Sequence, residues 1–360
     1  LSYRIWHLVS NRWYSAISEY ALRSVISLNR VGCENIISPL DDSPLHQKAI
    51  EAGVDVDPID SFSPGIKTLR WLYRGIDRFN PDIIITYGGP ETFLLRLLPK
   101  KERVYIRFRG QNEDVTKPKS SAFGHSHIDG LLTPAKIVAN RYAGLKKPIF
   151  TVPLGLDTNR FHADHAFQNQ KRPTLRIIGR LDPVKGHVAF LKLFSKMLSK
   201  WDYSHPRPFL EIIGEPANVS SNDLRVVAAS IGLVENRDYK LIDSRVSDIE
   251  SLIASTHLGV IPSVGSEVIC RVAEEFLLTG TPIAVNDVGS LTECLFDHGA
   301  GICYKANGDA LQLVHVLSER LVEAFEEPLE LRQKRAAKAQ SLYSYEAMGK
   351  ALFEMLEKLC

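Results

Sequence analysis

At 360 residues, with 44% hydrophobic and 24% charged side chains, the chain has the composition of a soluble globular protein and enough length for two domains, each with its own core. The formal charge is only +2, yet residues 1–160 carry 22 Lys and Arg against 16 Asp and Glu, while residues 161–360 carry 22 against 26. Five cysteines, an odd number without a CxxC pair, suggest a reducing compartment and argue against a zinc site. No apolar run of about 18 residues is long enough to span a bilayer and no charged-then-apolar leader precedes the first strand, so the expected location is the cytoplasm.

In chain order, Tyr3–Val9 reads as a strand, Ala16–Asn29 as a helix and Ile36-Ile37 as a short strand. Ile66–Phe79 is the next helical pattern, and the breaker Asn80-Pro81 introduces a strand at Asp82–Thr86. Further strands are expected at Val104–Phe108, Gly130–Thr133 and Ile149–Val152. Alternation of this kind implies a parallel sheet with helices on both faces, whose ligands collect at the carboxyl ends of the strands. The loops to watch are therefore Ser10–Ser15, Tyr87–Pro90, Arg107–Gln111 and Thr133–Lys136.

A polar stretch, Phe161–Pro173, reads as a linker, after which the same architecture restarts. Strands are expected at Leu175–Ile178, Leu210–Ile213, Tyr239–Ile242, Leu258–Ile261 and Ile283–Val285. Helices are expected at His187–Leu198, Asp223–Ile231, Ile249–Ala254, Arg271–Leu278 and Ala310–Glu326. In the tail, Met348, Leu352, Met355, Leu356 and Leu359 form an apolar stripe that must pack on something.

The stretch Pro262–Thr292 reads as strand, acidic helix, strand. Glu267 and Glu275 are eight positions apart, so one helix running through both would put them two turns apart on a shared side. A carboxylate there suits a hydroxyl-rich ligand, and the helix's free N–H groups favour an anion. Two glutamates at this spacing also describe a solvated helix face. Earlier in the same half, Gly179-Arg-Leu-Asp-Pro-Val-Lys-Gly186 sets Arg180 and Lys185 on either side of a turn that opens a helix. Two such cations can neutralise a diphosphate, Arg with a planar fork and Lys with a point charge. Sugar hydroxyls and a diphosphate together describe a nucleotide sugar.

These motifs resemble those of the retaining glycosyltransferases of family 4. Gly179–Gly186 is similar to the family's G-R-L-x-x-x-K-G, and Ile213-Gly-Glu-Pro216 to its I-G-x-x-P. Pro262–Pro282 is similar to P-S-x-x-x-E-x7-E-x4-G-T-P, and Asp287–Glu293 to D-V-G-x-x-x-E. Leu154-Gly-Leu-Asp157 with Phe161 is similar to N-G-V-D-x-x-x-F. The resemblance implies the GT-B fold: two Rossmann-like, doubly wound α/β domains facing across a cleft. It implies an N-terminal acceptor-side domain at 1–160, a nucleotide-sugar domain at 161–340 and a tail, 341–360, that crosses back to the first domain.

Carried over by position, the resemblance puts Arg180 and Lys185 on the donor diphosphate, Glu267 on hydroxyls of the transferred sugar and Glu275 on the ribose. Backbone N–H groups of Ile269, Cys270, Arg271 and Val272 complete the phosphate cradle, with Gly214 nearby at the end of a strand. Ser15 and Ala16 stand where the family has two glycines near the phosphate, and Arg109 stands where it often has a histidine. A family-like Glu-Gly-Phe-Gly becomes Glu267-Val-Ile-Cys270, which bears on the sugar accepted. Arg109 is a permanent cation that can stabilise a leaving diphosphate but cannot serve as a general base; it could instead pair with Glu113 or Asp114.

The implied activity is retaining transfer from a UDP- or GDP-sugar, without metal or other cofactor, to a glycan or glycolipid acceptor of a bacterial-type surface polysaccharide or lipopolysaccharide. The alternatives are a catalytically silent nucleotide-sugar binder and a nucleotide-sugar epimerase. No nucleic-acid partner is expected. The basic surplus at Arg96, Lys100, Lys101, Arg103, Arg107 and Arg109, with Lys117, Lys119, Lys146 and Lys147, suggests peripheral contact with the inner face of an anionic membrane, or else a rim that only aids solubility.

Overall fold

The computed structural model describes residues 2–98, 100, 102–110, 126–163, 171–201, 204–265 and 267–360. The chain divides into two compact units, Leu1–Leu156 with Leu342–Cys360, and Asp157–Ser341. Each unit holds a six-stranded parallel sheet.

In the first unit the strands are β1 Arg4–Val9, β2 Glu34–Pro39, β3 Ile83–Thr86, β4 Val104–Phe108, β5 Gly130–Thr133 and β6 Ile149–Thr151, in the order β2-β1-β3-β4-β5-β6. β3 and β4 are buried along their whole length, as suits strands covered on both faces. The buried His7 of β1 is held between the Tyr87 hydroxyl at 3.0 Å and the Asn35 amide oxygen at 3.1 Å. The tail helix, Tyr345–Glu357, belongs to this unit and buries Met348, Leu352, Met355 and Leu356. It docks beside the helix Ala16–Arg30, where Arg23 donates to the Tyr345 hydroxyl at 2.9 Å and Arg30 pairs with Glu346 at 2.5 Å.

In the second unit the strands are β7 Thr174–Ile178, β8 Phe209–Ile213, β9 Tyr239–Ile242, β10 Leu258–Ile261, β11 Ile283–Asn286 and β12 Gly301–Tyr304, in the order β12-β11-β10-β7-β8-β9. A charge inside this sheet is satisfied on every side: Arg176 of β7 pairs with Glu211 of β8 and donates to the hydroxyls of Ser255 and Thr256 at 2.9 and 2.8 Å. A buried cation without such partners would be strongly destabilising.

Among the described residues, several elements go beyond those the pattern predicts. The helix Pro44–Glu51 starts on Ser43, whose hydroxyl accepts the His46 N–H. The helix Leu329–Tyr343 is too polar to show a clear apolar stripe, and it is anchored by guanidinium groups instead. Arg332 donates to the carbonyls of Thr256 and Ala254, and Arg335 pairs with Glu327 at 2.7 Å. One expectation is corrected: no single helix carries both Glu267 and Glu275. The helix spans Arg271–Leu278 with Cys270 as its N-cap, so Glu267 sits in the loop before it.

Candidate functional site

The second sheet reverses its direction of growth between β7 and β10: β8 and β9 extend one side, β11 and β12 the other. Loops leaving the carboxyl ends of such a neighbouring pair diverge and leave a crevice, the usual ligand position in a doubly wound sheet. The loop after β7 carries Arg180 and Lys185, and the loop after β10 carries Glu267. Two of these side chains meet there: Lys185 Nζ lies 2.5 Å from Glu267 Oε1, which also accepts the Ser263 hydroxyl at 2.6 Å. Glu267 is buried, whereas Lys185 keeps 29% of its side chain exposed. Solvent therefore reaches the pair mainly at its lysine.

Two glycines set how closely the loops approach. Gly186, with φ +73°, ends the short 3-10 turn Pro183–Lys185, and a β-carbon on it would lie 2.0 Å from the Pro262 carbonyl oxygen. Gly289, with φ +60°, would put a β-carbon 1.8 Å from the Glu267 carbonyl oxygen. That same carbonyl accepts the Ser290 N–H at 2.9 Å. Left-handed backbone favours glycine for want of a β-carbon, and here the missing atom is also a packing requirement. Asn286 completes the frame, donating to the Ser263 carbonyl and accepting the N–H groups of Asp287 and Ala306.

Around this pair the remaining residues fall into place by element. The N–H groups of Ile269, Cys270, Arg271 and Val272, at the start of the helix, have no hydrogen-bond partner among the described residues, and the cap lacks a side-chain bond. Unpaired N–H groups at a helix start form an anion-binding surface. Cys270 turns its thiol inward, 3.1 Å from the Ser290 hydroxyl, and is buried. Val268 and Ile269 remain half-buried. Arg180 is exposed and makes no ion pair among the described residues. Gly214 directly follows β8, with its N–H bonded to the Ile242 carbonyl. Glu275, one turn into the helix, is buried and lies 3.3 Å from Arg271.

The first unit has its own reversal, between β1 and β3. The loop after β1 ends at Ser15, the N-cap of the helix Ala16–Arg30, whose hydroxyl accepts the Ser18 N–H and an amide N–H of Asn11. Ala16 is the first helical residue. Arg109 follows β4, bonds its N–H to the Leu132 carbonyl and lies over the Tyr142 ring. Its suggested partners, Glu113 and Asp114, lie outside the described residues. The basic rim needs a correction: Arg107 lies within β4 and is buried, and Lys100 is engaged with Asp129 at 2.5 Å. Lys101, Lys117 and Lys119 lie outside the described residues. No described helix is long and apolar enough to cross a membrane.

Three residues emerge only from the structure. Ser263, which in sequence merely closes an apolar run, orients Glu267. His187 is buried at the first position of its helix, beside Lys185, and burial lowers its pKa to about 4, so it is neutral near pH 7. Glu91 is buried after β3, accepts the Ser10 N–H at 3.1 Å and has its pKa raised by burial. Gly88-Gly89-Pro90 directly before it is the one sequence signal of a loop built for close approach. The described residues with metal-ligand spacing are Asp41, Asp42 and His46, at the end of β2 and remote in sequence from these loops.

No curated protein matches the chain in sequence. Among solved structures it is similar to a glycosyltransferase from Rickettsia africae, at 14% identity over 99% of this chain and 98% of that one, with a TM-score of 0.77. HepE of Anabaena, solved with UDP, is similar at 14% identity over 99% and 100%, TM-score 0.77. The lipopolysaccharide outer core galactosyltransferase WaaB is similar at 12% identity over 98% and 99%, TM-score 0.71. The fold is thus that of GT-B glycosyltransferases, with two Rossmann-like domains. The family model described as "Glycosyl transferases group 1" matches residues 159–341, half of the chain and nearly the whole of the second unit. The chain belongs to the group 1 glycosyl transferases.

Proposed function

We propose that the chain is a retaining, metal-independent glycosyltransferase of family 4 that moves a sugar from a UDP- or GDP-sugar to a glycan or glycolipid acceptor. The observation that carries this reading is the Lys185–Glu267 pair at the reversal of the second sheet, set against unpaired helix N–H groups. HepE, similar in fold, is solved with UDP and with UDP-glucose, which supports a nucleotide-sugar donor.

In this reading Lys185, Arg180 and the N–H groups of Ile269–Val272 hold the diphosphate, and Glu267 accepts hydroxyls of the transferred sugar. Glu275 receives the ribose hydroxyls. As the glycosidic bond loosens, negative charge grows on the leaving phosphate, where fixed cations and dipoles act most strongly. The acceptor hydroxyl enters on the face the diphosphate leaves, and its proton passes to the diphosphate. The acceptor is a glycan or glycolipid of surface-polysaccharide or lipopolysaccharide synthesis.

Incubation with UDP- and GDP-sugars, with and without EDTA, tests the reading. Turnover with retention that survives EDTA is expected, as is stabilisation by about 2.7 kcal/mol when the cognate nucleotide is present at 100 times its Kd. Absence of both turnover and nucleotide-dependent stabilisation would remove it; binding without turnover would leave a silent binder.

A further inference from the structure

The helix Ile66–Phe79 of the first unit buries Thr68, Leu72, Gly75 and Ile76. Leu72 and Ile76 share a core with Trp6, Leu8 and Ile84 of the sheet, and a β-carbon on Gly75 would stand 2.3 Å from the Trp6 ring. The inner side is thus filled. On the outer side, Ile66 is 74% exposed and Tyr73 44%. Seven positions are close to two helical turns, so these two share a side, with Arg70 between them along the axis and Lys67 and Arg74 on the adjoining flank.

The exposed apolar surface continues beyond the helix. The Tyr73 hydroxyl donates to the Leu97 carbonyl at 3.2 Å, which sets the 3-10 turn Leu95–Leu97 alongside. Leu97 is 41% exposed and Phe93 44%, and the Arg96 guanidinium lies over the Phe93 ring at 5.9 Å. Single exposed apolar side chains need no explanation, but contiguous ones mark a contact surface. The charge is equally one-sided, since the helix carries four Lys and Arg against one Asp. Arg78 pairs with Asp57, whereas Lys67, Arg70 and Arg74 are exposed and make no ion pair among the described residues. Like charges three and four positions apart repel, and a negative surface opposite them would relieve the repulsion.

We propose that this face docks the protein on an anionic membrane surface. A soluble polyanion would satisfy the cations but leave Ile66, Tyr73 and Leu97 in water. An anionic bilayer answers both halves of the pattern: its headgroups attract Lys67, Arg70 and Arg74, and its acyl boundary takes up the apolar side chains. The docking face lies on the helix before β3 and the turn after it, not on β4, where Arg107 is buried. It does not rest on the donor reading, because vesicle binding and nucleotide binding are measured separately and either can fail alone.

The test is sedimentation of the full chain with vesicles of phosphatidylcholine alone and of phosphatidylcholine with phosphatidylglycerol in equal parts. Binding should be strong only on the anionic vesicles and should weaken as salt is raised. Each cation near the surface is worth about fivefold in partitioning, so changing Lys67, Arg70 and Arg74 together to Gln should lower it about a hundredfold. Changing Lys192, Lys196 and Lys200 of the second unit to Gln removes the same charge and should leave partitioning within twofold. Ile66→Ser with Leu97→Ser keeps every charge and should cost about tenfold. All these side chains are exposed or half-exposed, so the fold is retained, and thermal melts of each variant verify this. Equal binding to both kinds of vesicle, or equal losses in the two triple variants, would overturn the proposal. A loss in the first triple variant with none in the Ile66 and Leu97 variant would make the partner a soluble polyanion, and would overturn it as well.

Discussion

Lys185 Nζ and Glu267 Oε1 lie 2.5 Å apart, and the ammonium is the more exposed partner. An incoming diphosphate and this carboxylate would thus share one cation. Lys185→Ala leaves the Glu267 carboxylate buried with only Ser263 bonded to it, which should lower stability by about 1–3 kcal/mol and turnover by about 10²–10³. Lys185→Ala with Glu267→Ala should lose less stability than the two single changes added together. Arg180→Ala should leave stability within about 0.5 kcal/mol while lowering turnover, because its side chain is exposed and makes no ion pair among the described residues. Urea melts and initial rates on the four variants check this, and a stability loss in Arg180→Ala equal to that of Lys185→Ala would refute it.

Gly289→Ala should damage the cradle from outside it. The added carbon would stand 1.8 Å from the Glu267 carbonyl at a backbone φ of +60°, so either the turn or the glutamate must move. Strain of this kind costs about 1–3 kcal/mol. Turnover should fall with it, whereas Gly232→Ala, at φ +80° with nothing within 4 Å, should cost stability and leave turnover of the folded fraction intact. Specific activity of the two variants, normalised to folded protein, separates them.

Acid should unfold the protein through its buried histidines. Burial lowers the pKa of His7, His187 and His257 to about 4, against an ordinary value of 6.5. Between those limits the unfolded chain binds more protons than the folded one, so stability is full above about pH 6.5 and falls as the pH drops toward 4. Each group adds about 1.4 kcal/mol per pH unit at the steepest point. His257 shows why protonation is resisted: its Nδ1 accepts the Thr174 N–H at 3.0 Å, which a protonated ring would repel. Thermal melts across this range should show His257→Gln with a shallower acid slope.

Glu91 should act with the opposite sign. Burial raises its carboxyl pKa above the ordinary 4.5, so the folded chain keeps a proton that the unfolded chain releases. Its contribution to stability is complete below pH 4.5 and is lost as the pH rises through the raised value. Glu91→Gln, neutral at every pH, should remove that decline without removing the histidine slope. Melts of the variant from pH 4 to 8 that parallel wild type throughout would count against a buried, protonated Glu91.

Most of the fold was legible because buried parallel strands are short apolar runs. Val104–Phe108 and Leu258–Ile261 have the expected bounds, as have the helices Ile66–Phe79 and Arg271–Leu278. The helix Leu329–Tyr343 was not, since Arg332 and Arg335 do the anchoring that apolar residues usually do, and the half-buried β12 carries little pattern. The motif spacing singled out Lys185 and Glu267 as candidates but gave no sign that they touch. That contact depends on strand order, which brings β7 beside β10 and is not written in either loop. Ser263 and Glu91 were hidden for the same reason: their partners are 4 and 81 positions away, and neither pairing follows from local periodicity.

The docking of the helix Tyr345–Glu357 beside Ala16–Arg30 has a consequence for how the protein is made. The first unit consists of two sequence segments separated by the whole of the second unit. On the ribosome, Leu1–Leu156 emerges first but lacks the helix that covers Ser27 and Val31, so its surface there stays bare while Asp157–Ser341 is synthesised and folds as a continuous segment. The part translated first is therefore completed last, and a nascent chain halted before Met348 would expose an apolar face open to chaperones and to other copies of itself.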